Sequence, residues 1–529
     1  MLIIKSRRRQ KIGLNEPLKH VAHKRPVTRR DFLAQGFITG AATIVAPTAL
    51  GMLMNPRAAA ALTAELPDIA LDICEITNGA GKIPFICFDL AGGANIAGSN
   101  VLVGKTGGQL DFLTTQGYSK LGLPGNMLPN NATTNFVNTE LGLAFHSDSA
   151  FLRGILERTT PATRANVNGV VIPARSENDT GNNPHNPMYG IAKAGAKGSL
   201  LTLIGSQNSD SGGNSMAPAM MVAEAPENRP TKIDRAADAA GLAPSGGPQI
   251  LSNPDTVKVM EAMARISQAK LGVRPTVNDP LPAQQPVTTG LSNDEDVKER
   301  VRCAYVKTAD TTEKFADPAT LNPRADTSIR GGIFTAAEFD GDREFEKTAS
   351  VMKLVIPGYA GAGTISMGGY DYHTGDRSTG ELRDLRAGRC IGAVLEYARI
   401  QGKPVMVYVF SDGSLSSNGR VDSSVDGRGK GEWTGDNQQT AAAFILVYNP
   451  AGRPALMQAG RNQLGAFSAE GDVVTSSSPG ANNVNLLVQM VLLNYMALHN
   501  EAGQFTAKFG TALGTGTGLD QWIGFAPIA

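Results

Sequence analysis

The sequence has few cysteines, few aromatic residues and no long apolar run beyond its first 60 residues. Four Cys in 529 residues exclude a disulfide scaffold, and their wide separation leaves no Cys-x-x-Cys motif for zinc or haem. The 60 glycines show no Gly-X-Y period, which excludes a collagen. Because 41% of the residues are hydrophobic, we expect a folded core rather than global disorder.

The whole chain also lacks an excess of either positive or negative charge, because its formal net charge is +1. This balance averages two unlike parts, because the first 60 residues hold 11 Lys or Arg and two acids, Glu16 and Asp31. Residues 61–529 hold 38 basic and 46 acidic residues, a formal net charge of −8. An acidic main part disfavours binding to nucleic acid or to an anionic membrane surface.

The basic leader has the pattern of a twin-arginine signal peptide. Thr28-Arg29-Arg30-Asp31-Phe32-Leu33 is followed by a weakly apolar run at 36–53 and by the small residues Ala58-Ala59-Ala60. The alternative, a basic tail before a membrane helix, is disfavoured by Pro47 within the run. We therefore expect residues 1–60 to engage the twin-arginine translocase and to be cleaved. The mature protein is then periplasmic or secreted, with no stable membrane span.

The remaining chain alternates between apolar runs and helical patterns. Buried strands are predicted at 83–90, 169–173, 200–204, 364–367, 405–410 and 444–448, and helices at 381–400 and 484–498. Continuous apolar strands separated by helices predict an α/β fold, with a mostly parallel central sheet and helices on both faces.

Composition divides this predicted domain along the chain. Residues 61–250 and 356–529 are expected to form its N-terminal and C-terminal parts. Between them, residues 251–355 carry helical patterns at 252–266, 293–307 and 341–355, which predict a helical insertion or layer. The Ser-, Gly- and Asn-rich stretches 205–250 and 412–438 are expected to form long loops.

Polar segments follow four of the predicted strands, at 92–95, 175–179, 368–373 and 411–413. Ligands of an open parallel sheet bind beyond the carboxyl ends of its strands, so we expect these segments to converge. Carboxylates and imidazoles together suit a divalent cation. Asp371 and His373 are expected to need the turn at Gly368-Gly369 to reach one ion. A separate Ca²⁺ site in the Asp-rich 422–436 loop is a weaker hypothesis, because the EF-hand spacing is absent.

These motifs resemble a group of twin-arginine-exported bacterial proteins of unassigned function, related to the alkaline phosphatase and sulfatase superfamily. The group's signature runs from L-x-G-G-x-D through R-S-H-F and G-G-F-D-T-H to S-E-F-G-R and D-H-G. The similar segments here, in the same order, are Leu90-Ala91-Gly92-Gly93-Ala94-Asn95, Arg175-Ser176, Gly368-Gly369-Tyr370-Asp371-Tyr372-His373, Ser411-Asp412-Gly413 and Gly435-Asp436-Asn437.

The resemblance implies an alkaline-phosphatase-like fold and metal-dependent hydrolysis of a small phosphate or sulfate ester. It implies Ser176 as nucleophile, Arg175 as the partner of the anionic group, and one or two divalent metals (Zn, Mg or Ca). The implied metal ligands are Asn95, Asp371, His373, Asp412 and Asp436. Asn95 replaces the group's Asp, and Asn437 replaces the His of D-H-G, which weakens the metal site.

Two hypotheses follow from the resemblance and its departures. A hydrolase requires bound metal, convergent carboxylate and His side chains, and an accessible Ser176. A non-catalytic periplasmic binding or assembly protein on a degenerate hydrolase scaffold requires no metal. Its site would be filled by the loops at 205–220 and 412–438.

Overall fold

The structure, a computed structural model, describes residues 81–129, 135–176, 183–242, 315 and 317–529. The predicted signal peptide at 1–60 and the predicted helices at 252–266 and 293–307 lie outside these residues. The chain divides into two compact units, Met1–Ile76 with Ala243–Pro318, and Thr77–Leu242 with Ala319–Ala529. Every element named below belongs to the second unit.

Strands and helices alternate along most of the described chain. The strands are β1 (Phe85–Leu90), β2 (Val137–Asn138), β3 (Phe145–His146), β4 (Val167–Pro173), β5 (Leu201–Gly205), β6 (Thr231–Lys232), β7 (Ala360–Met367), β8 (Val405–Phe410), β9 (Leu415–Asp422), β10 (Lys430–Asp436) and β11 (Ala442–Tyr448). The helices are α1 (Thr115–Lys120), α2 (Ala150–Arg158), α3 (Pro161–Ala165), α4 (Met188–Lys193), α5 (Ala219–Glu224), α6 (Ala236–Ala240), α7 (Ala336–Gly341), α8 (Arg343–Val355), α9 (Ser378–Ile400), α10 (Val484–Leu498) and α11 (Phe505–Phe509).

Seven strands form the central sheet, in the order β4-β11-β8-β1-β7-β5-β6. The pairs β1–β7, β1–β8, β5–β7 and β5–β6 are parallel, whereas β11 runs antiparallel to both β4 and β8. The predicted α/β fold with a mostly parallel sheet is therefore confirmed. All six predicted strands are present. The apolar run of β11 did not indicate that this strand is antiparallel to its neighbours.

Helices cover both faces of this sheet. On one face, Phe85 and Cys87 of β1 join a buried cluster with residues of α4 and α10. On the opposite face, a Cβ on Gly363 of β7 would lie 2.5 Å from Val351 of α8, so this helix packs directly on the strand. The long helix α9 contacts α8, β8 and β11. The sheet is thus buried on both sides, as its continuous apolar strands require.

Two polar stretches expected to form loops contain regular structure. Residues 412–438 include the antiparallel hairpin of β9 and β10, and 205–250 include α5, β6 and α6. The hairpin strands carry Ser, Asn, Asp and Gly rather than an apolar run, which is why composition predicted a loop. Among the described residues, none of the helices has the length and apolar character needed to cross a membrane.

Helices α2 and α9 approach each other so closely that glycine is needed on both. A Cβ on Gly388 of α9 would lie 2.2 Å from the carbonyl oxygen of Phe151, and one on Gly154 of α2 would lie 2.3 Å from that of Leu385. Arg153 of α2 also donates to Glu381 of α9 at 2.9 Å. This close packing fixes the position of α9.

We expect Gly388→Ala to lower the free energy of unfolding by roughly 1–3 kcal/mol, because the added methyl group forces the two helices apart. Gly341→Ala in α7 is the matched control, since its added Cβ would contact nothing beyond its own turn of the helix. Urea denaturation of both variants measures the effect. Equal stabilities of the two variants would show that α2 and α9 do not need backbone contact.

Candidate metal centre

The three central strands end at the same level, which brings their polar segments together. Parallel pairing aligns Leu90 with Met367 and Asp89 with Phe410, so β1, β7 and β8 terminate side by side. The segment after β1 is bonded to the other two: Gly92 N donates to Asp412 Oδ1 at 2.7 Å in the segment after β8, and Ala91 O accepts from Tyr370 N at 3.2 Å in the segment after β7. The expected convergence at one sheet edge is found for these segments.

Three of the five predicted ligands form one cluster at this edge, Asp371, His373 and Asp436. His373 Nε2 lies 2.8 Å from Asp371 Oδ1 and 3.5 Å from Asp436 Oδ1. One ligand atom from each residue lies within 4.8 Å of the others. The side chain of Asp371 is 42% exposed to solvent, that of His373 29% and that of Asp436 25%, so the cluster is open to solvent on one side.

The path of the chain into the cluster depends on glycines. Gly369 has φ +85°, and this left-handed turn follows β7 as the sequence predicted. No further turn is needed between Asp371 and His373, because residues two apart on an extended segment share a side. Gly92 has φ +115°, and a Cβ there would lie 3.2 Å from that of Asp371. The Gly-Gly turn after β1 therefore leaves room for the cluster.

The donor set fits a divalent cation. Two carboxylates and one imidazole are hard and borderline ligands, and three protein ligands with an open side are typical of catalytic zinc sites. Mg²⁺ and Ca²⁺ take six or more oxygen ligands, so either would need additional donors such as water. Asp371, His373 and Asp436 are the residues that would hold the ion.

The other two predicted ligands, Asn95 and Asp412, are buried at different positions. Asn95 donates from Nδ2 to Ser99 Oγ at 2.5 Å and belongs to a polar network beneath the edge. Asp412 accepts the Gly92 amide noted above and lies near Asp89. Asp412 is not in the group of close ligand atoms, and Asn95 is fully buried, so the described residues bring together three of the five implied ligands.

Asp89, at the end of β1, was not predicted to have a role at the edge. Its Oδ2 accepts from the amides of Asn214 and Ser215 at 2.6 and 2.9 Å, and its Oδ1 accepts from the Ser215 hydroxyl at 2.8 Å. Burial, together with the nearby Asp412 carboxylate, raises the pKa of Asp89 to about 6. Asp89 thus attaches the loop after β5 to the sheet.

The suggested Ca²⁺ loop is not formed in the described residues. Asp422 pairs with Lys430 near the turn of the β9–β10 hairpin, whereas Asp436 pairs with Leu415 at its other end. The seven steps along β9 between these pairs span roughly 20 Å. Asp436 therefore joins Asp371 and His373, and Asp422 and Asp426 do not.

Ser176 is buried, not accessible as the hydrolase hypothesis requires. Its side chain is 1% exposed, and its Oγ lies 3.0 Å from His185 Nε2 and donates to the Ser411 carbonyl at 3.2 Å. His185 stacks on Phe410, and burial lowers its pKa to about 3, so its imidazole is neutral at pH 7. Nδ1 of His185 has no hydrogen-bond partner among the described residues.

Arg175 is bound by neutral groups at the same edge. Its Nη1 donates to Asn482 Oδ1 at 2.6 Å and its Nη2 to Gln438 Oε1 at 2.9 Å. In the part of the chain that the structure describes, no carboxylate lies within 4.0 Å of this guanidinium. Two side-chain amide oxygens thus hold the guanidinium at this edge.

Sequence reasoning did not identify His185 as the neighbour of Ser176, nor Tyr372 and Asp384 as part of the edge. Tyr372 donates to Asp384 Oδ1 at 2.9 Å, and burial raises the pKa of Asp384 to about 7. The signals that the sequence offers are His185, within 183–187, and Tyr372, which lies between Asp371 and His373. Pairing them required knowing which segments the fold brings together.

The fold and the cluster at the sheet edge define the class of protein. It is a mostly parallel α/β protein with a carboxylate–imidazole cluster beyond the carboxyl ends of its central strands. Comparison with family models, curated proteins and solved structures finds no match to the chain.

We expect His185→Gln to alter the pH dependence of stability. The folded-state pKa of His185 is depressed to about 3 from the ordinary 6.5, so its stabilising contribution is present above about pH 6.5. As pH falls from there toward 3, the unfolded chain takes up a proton that the folded chain does not, and this stability is lost. Wild type should lose about 1.4 kcal/mol more per pH unit than the variant between about pH 6 and pH 4.

Urea unfolding of both proteins across this range, with pH 8 as the baseline where both states are neutral, measures the difference. Parallel stability curves would show that His185 is not held as a buried neutral imidazole.

Proposed function

We propose that the chain is an exported hydrolase of small phosphate or sulfate esters that depends on one divalent cation. The observation that supports this most directly is the cluster of Asp371, His373 and Asp436 at the carboxyl edge of the sheet. Ligand sites of open parallel sheets lie at this edge. A divalent ion would supply two things there: polarisation of an ester oxygen, and activation of water as the nucleophile that buried Ser176 does not provide.

The proposal is for one ion rather than two. Two-ion sites need ligands for a second cation a few ångströms away. Of the other implied ligands, Asp412 accepts the Gly92 amide through Oδ1, Asn95 is fully buried and uncharged, and Asn437 stands where an imidazole is expected. In this proposal Asp371 and Asp436 supply carboxylate ligands, and His373 supplies a nitrogen ligand.

Arg175 supports an anionic substrate. Its guanidinium is held in place by two amide oxygens that leave its charge uncompensated within the described residues. A planar guanidinium fixed in this way can bind two oxygens of a phosphate or sulfate group. In the proposal Arg175 therefore binds the ester's anionic group.

Burial of Ser176 supports a second candidate, a non-catalytic periplasmic binding protein on the same scaffold. A nucleophile must reach its substrate, and the Ser176 hydroxyl is enclosed by His185 and the Ser411 carbonyl. This candidate uses the same edge to bind an anion without cleaving it. The two candidates share the fold and differ in whether turnover occurs.

We expect the purified mature protein to retain about one equivalent of divalent metal. Asp371→Ala, His373→Ala and Asp436→Ala should each weaken metal binding by at least about tenfold, because each removes one of three ligands. Asp426→Ala, an exposed acid of the neighbouring hairpin, is the matched control and should bind as wild type does. Elemental analysis and calorimetric titration with Zn²⁺, Mg²⁺ and Ca²⁺ measure these effects.

A panel of phosphatase and sulfatase substrates then separates the two candidates. Turnover that chelation abolishes and metal restores supports the hydrolase. Metal binding without turnover of any ester favours the binding protein. Wild-type protein without metal, and with unchanged stability after chelation, contradicts the cation site itself.

We also propose that residues 1–60 direct export by the twin-arginine route. Replacing both Arg29 and Arg30 by Lys should leave the protein in the cytoplasm at precursor length, because the translocase recognises the arginine pair. The control replaces Arg7 and Arg8 by Lys and keeps the pair intact. Fractionation with immunoblotting measures the location, and normal export of the first variant would rule out this route.

A further inference from the structure

The segment that carries two of the cluster residues alternates between buried and solvent-facing side chains. Tyr370 and Tyr372 are buried, whereas Asp371 is exposed and His373 is partly exposed. Alternation of this kind places the two ligands on one side of the segment and the two tyrosines on the other. The position of the ligands is therefore set by whatever holds the tyrosines.

Both tyrosines are attached to helix α9. Tyr370 donates its hydroxyl to the Arg383 carbonyl at 3.0 Å, and Tyr372 donates to Asp384 Oδ1 at 2.9 Å. The Tyr372 ring lies directly against the helix at Gly380, where a Cβ would approach the ring carbons to 2.7 Å. The hydroxyl of Tyr372 also accepts a hydrogen bond from the backbone N–H of Asn95 at 3.3 Å.

Asp384 is itself held by a second buried residue, Asn100. Asn100 Nδ2 donates to Asp384 Oδ2 and to the Asn95 carbonyl, both at 2.8 Å. Asn100 Oδ1 accepts from the Ser149 hydroxyl at 2.8 Å, next to the start of α2. The network thus connects the segments after β1 and β7 to the α2–α9 pair. Satisfied polar networks in buried surroundings are rigid.

We propose that Tyr372 and Asp384 are positioning residues, whose hydrogen bond holds Asp371 and His373 in the arrangement that receives the cation. This inference rests on the proposed cation site. Neither residue touches the ion in this arrangement; they act through the backbone between the two ligands. Ligands must be held within about half an ångström of their productive positions, so a segment released from α9 binds the cation less well.

Tyr372→Phe tests the inference, because it removes the hydroxyl and keeps the ring packed against Gly380. The matched control is Tyr397→Phe, since Tyr397 is also a buried tyrosine of the α9 region and donates to a carboxylate, Asp326 Oδ2, at 3.1 Å. Tyr397 lies 13 residues beyond Asp384 on α9, roughly 20 Å along the helix axis. Both variants lose one tyrosine–aspartate hydrogen bond, but only Tyr372→Phe loses it beside the cluster.

Calorimetric titration of Zn²⁺ into the mature protein, with thermal unfolding of each variant, gives the readout. We expect Tyr372→Phe to raise the Zn²⁺ Kd by at least about tenfold, as loss of outer-shell support usually does. Tyr397→Phe should leave the Kd within about twofold of wild type, although both variants unfold at lower temperature. Equal Zn²⁺ affinities in the two variants, with wild type binding normally, would overturn the positioning role and leave the proposed cation site intact.

A wild-type protein that binds no Zn²⁺ would instead contradict the proposed cation site, and the positioning role with it. If Tyr372→Phe does not fold, Asp384→Ala removes the same hydrogen bond from the helix side, because it deletes the carboxylate that accepts from the Tyr372 hydroxyl. Folded Asp384→Ala should show the same tenfold loss, and wild-type affinity would overturn the inference. In the double variant of Tyr372→Phe and Asp384→Ala the losses should not add, since both changes remove the same Tyr372–Asp384 hydrogen bond.

Discussion

Parallel pairing of β1 with β7 and β8 is the constraint on which the candidate site depends. Because Leu90 aligns with Met367 and Asp89 with Phe410, three chain segments leave the sheet at one level. Residues about 280 to 320 positions apart in sequence thereby become neighbours, as the bond from the Gly92 amide to Asp412 shows. Antiparallel β11 completes the arrangement, because its first residue lies at the same edge, just after Asp436.

Buried carboxylates fasten the segments around this edge. Asp89 accepts three hydrogen bonds from the loop after β5, and Asp384 accepts bonds from Tyr372 and Asn100. Burial raises the pKa of each, to about 6 and about 7, and their hydrogen bonds offset part of this desolvation. The edge thus has two kinds of acid: buried ones that hold the chain in place, and the partly exposed pair of Asp371 and Asp436 that face solvent.

The sequence predicted the parts of the fold that depend on burial alone. Strand 405–410 is apolar throughout and helix 484–498 is mostly apolar, and both appear where their composition indicates. Apolar runs do not indicate strand direction, which is why antiparallel β11 was not foreseen. The β9–β10 hairpin was missed because its residues are polar, and its register, which composition does not determine, separates Asp436 from Asp422. Asp371 and His373 could be paired from their spacing, whereas Ser176 with His185 depended on the path of the folded chain.

The most direct test of the cation site is anomalous diffraction from crystals of the mature protein soaked in Zn²⁺. We predict an anomalous peak bounded by Asp371, His373 and Asp436, with ligand atoms at about 2.0–2.2 Å. Crystals that diffract well and show Zn²⁺ only elsewhere, or none at all, would contradict the assignment of this cluster as a metal centre.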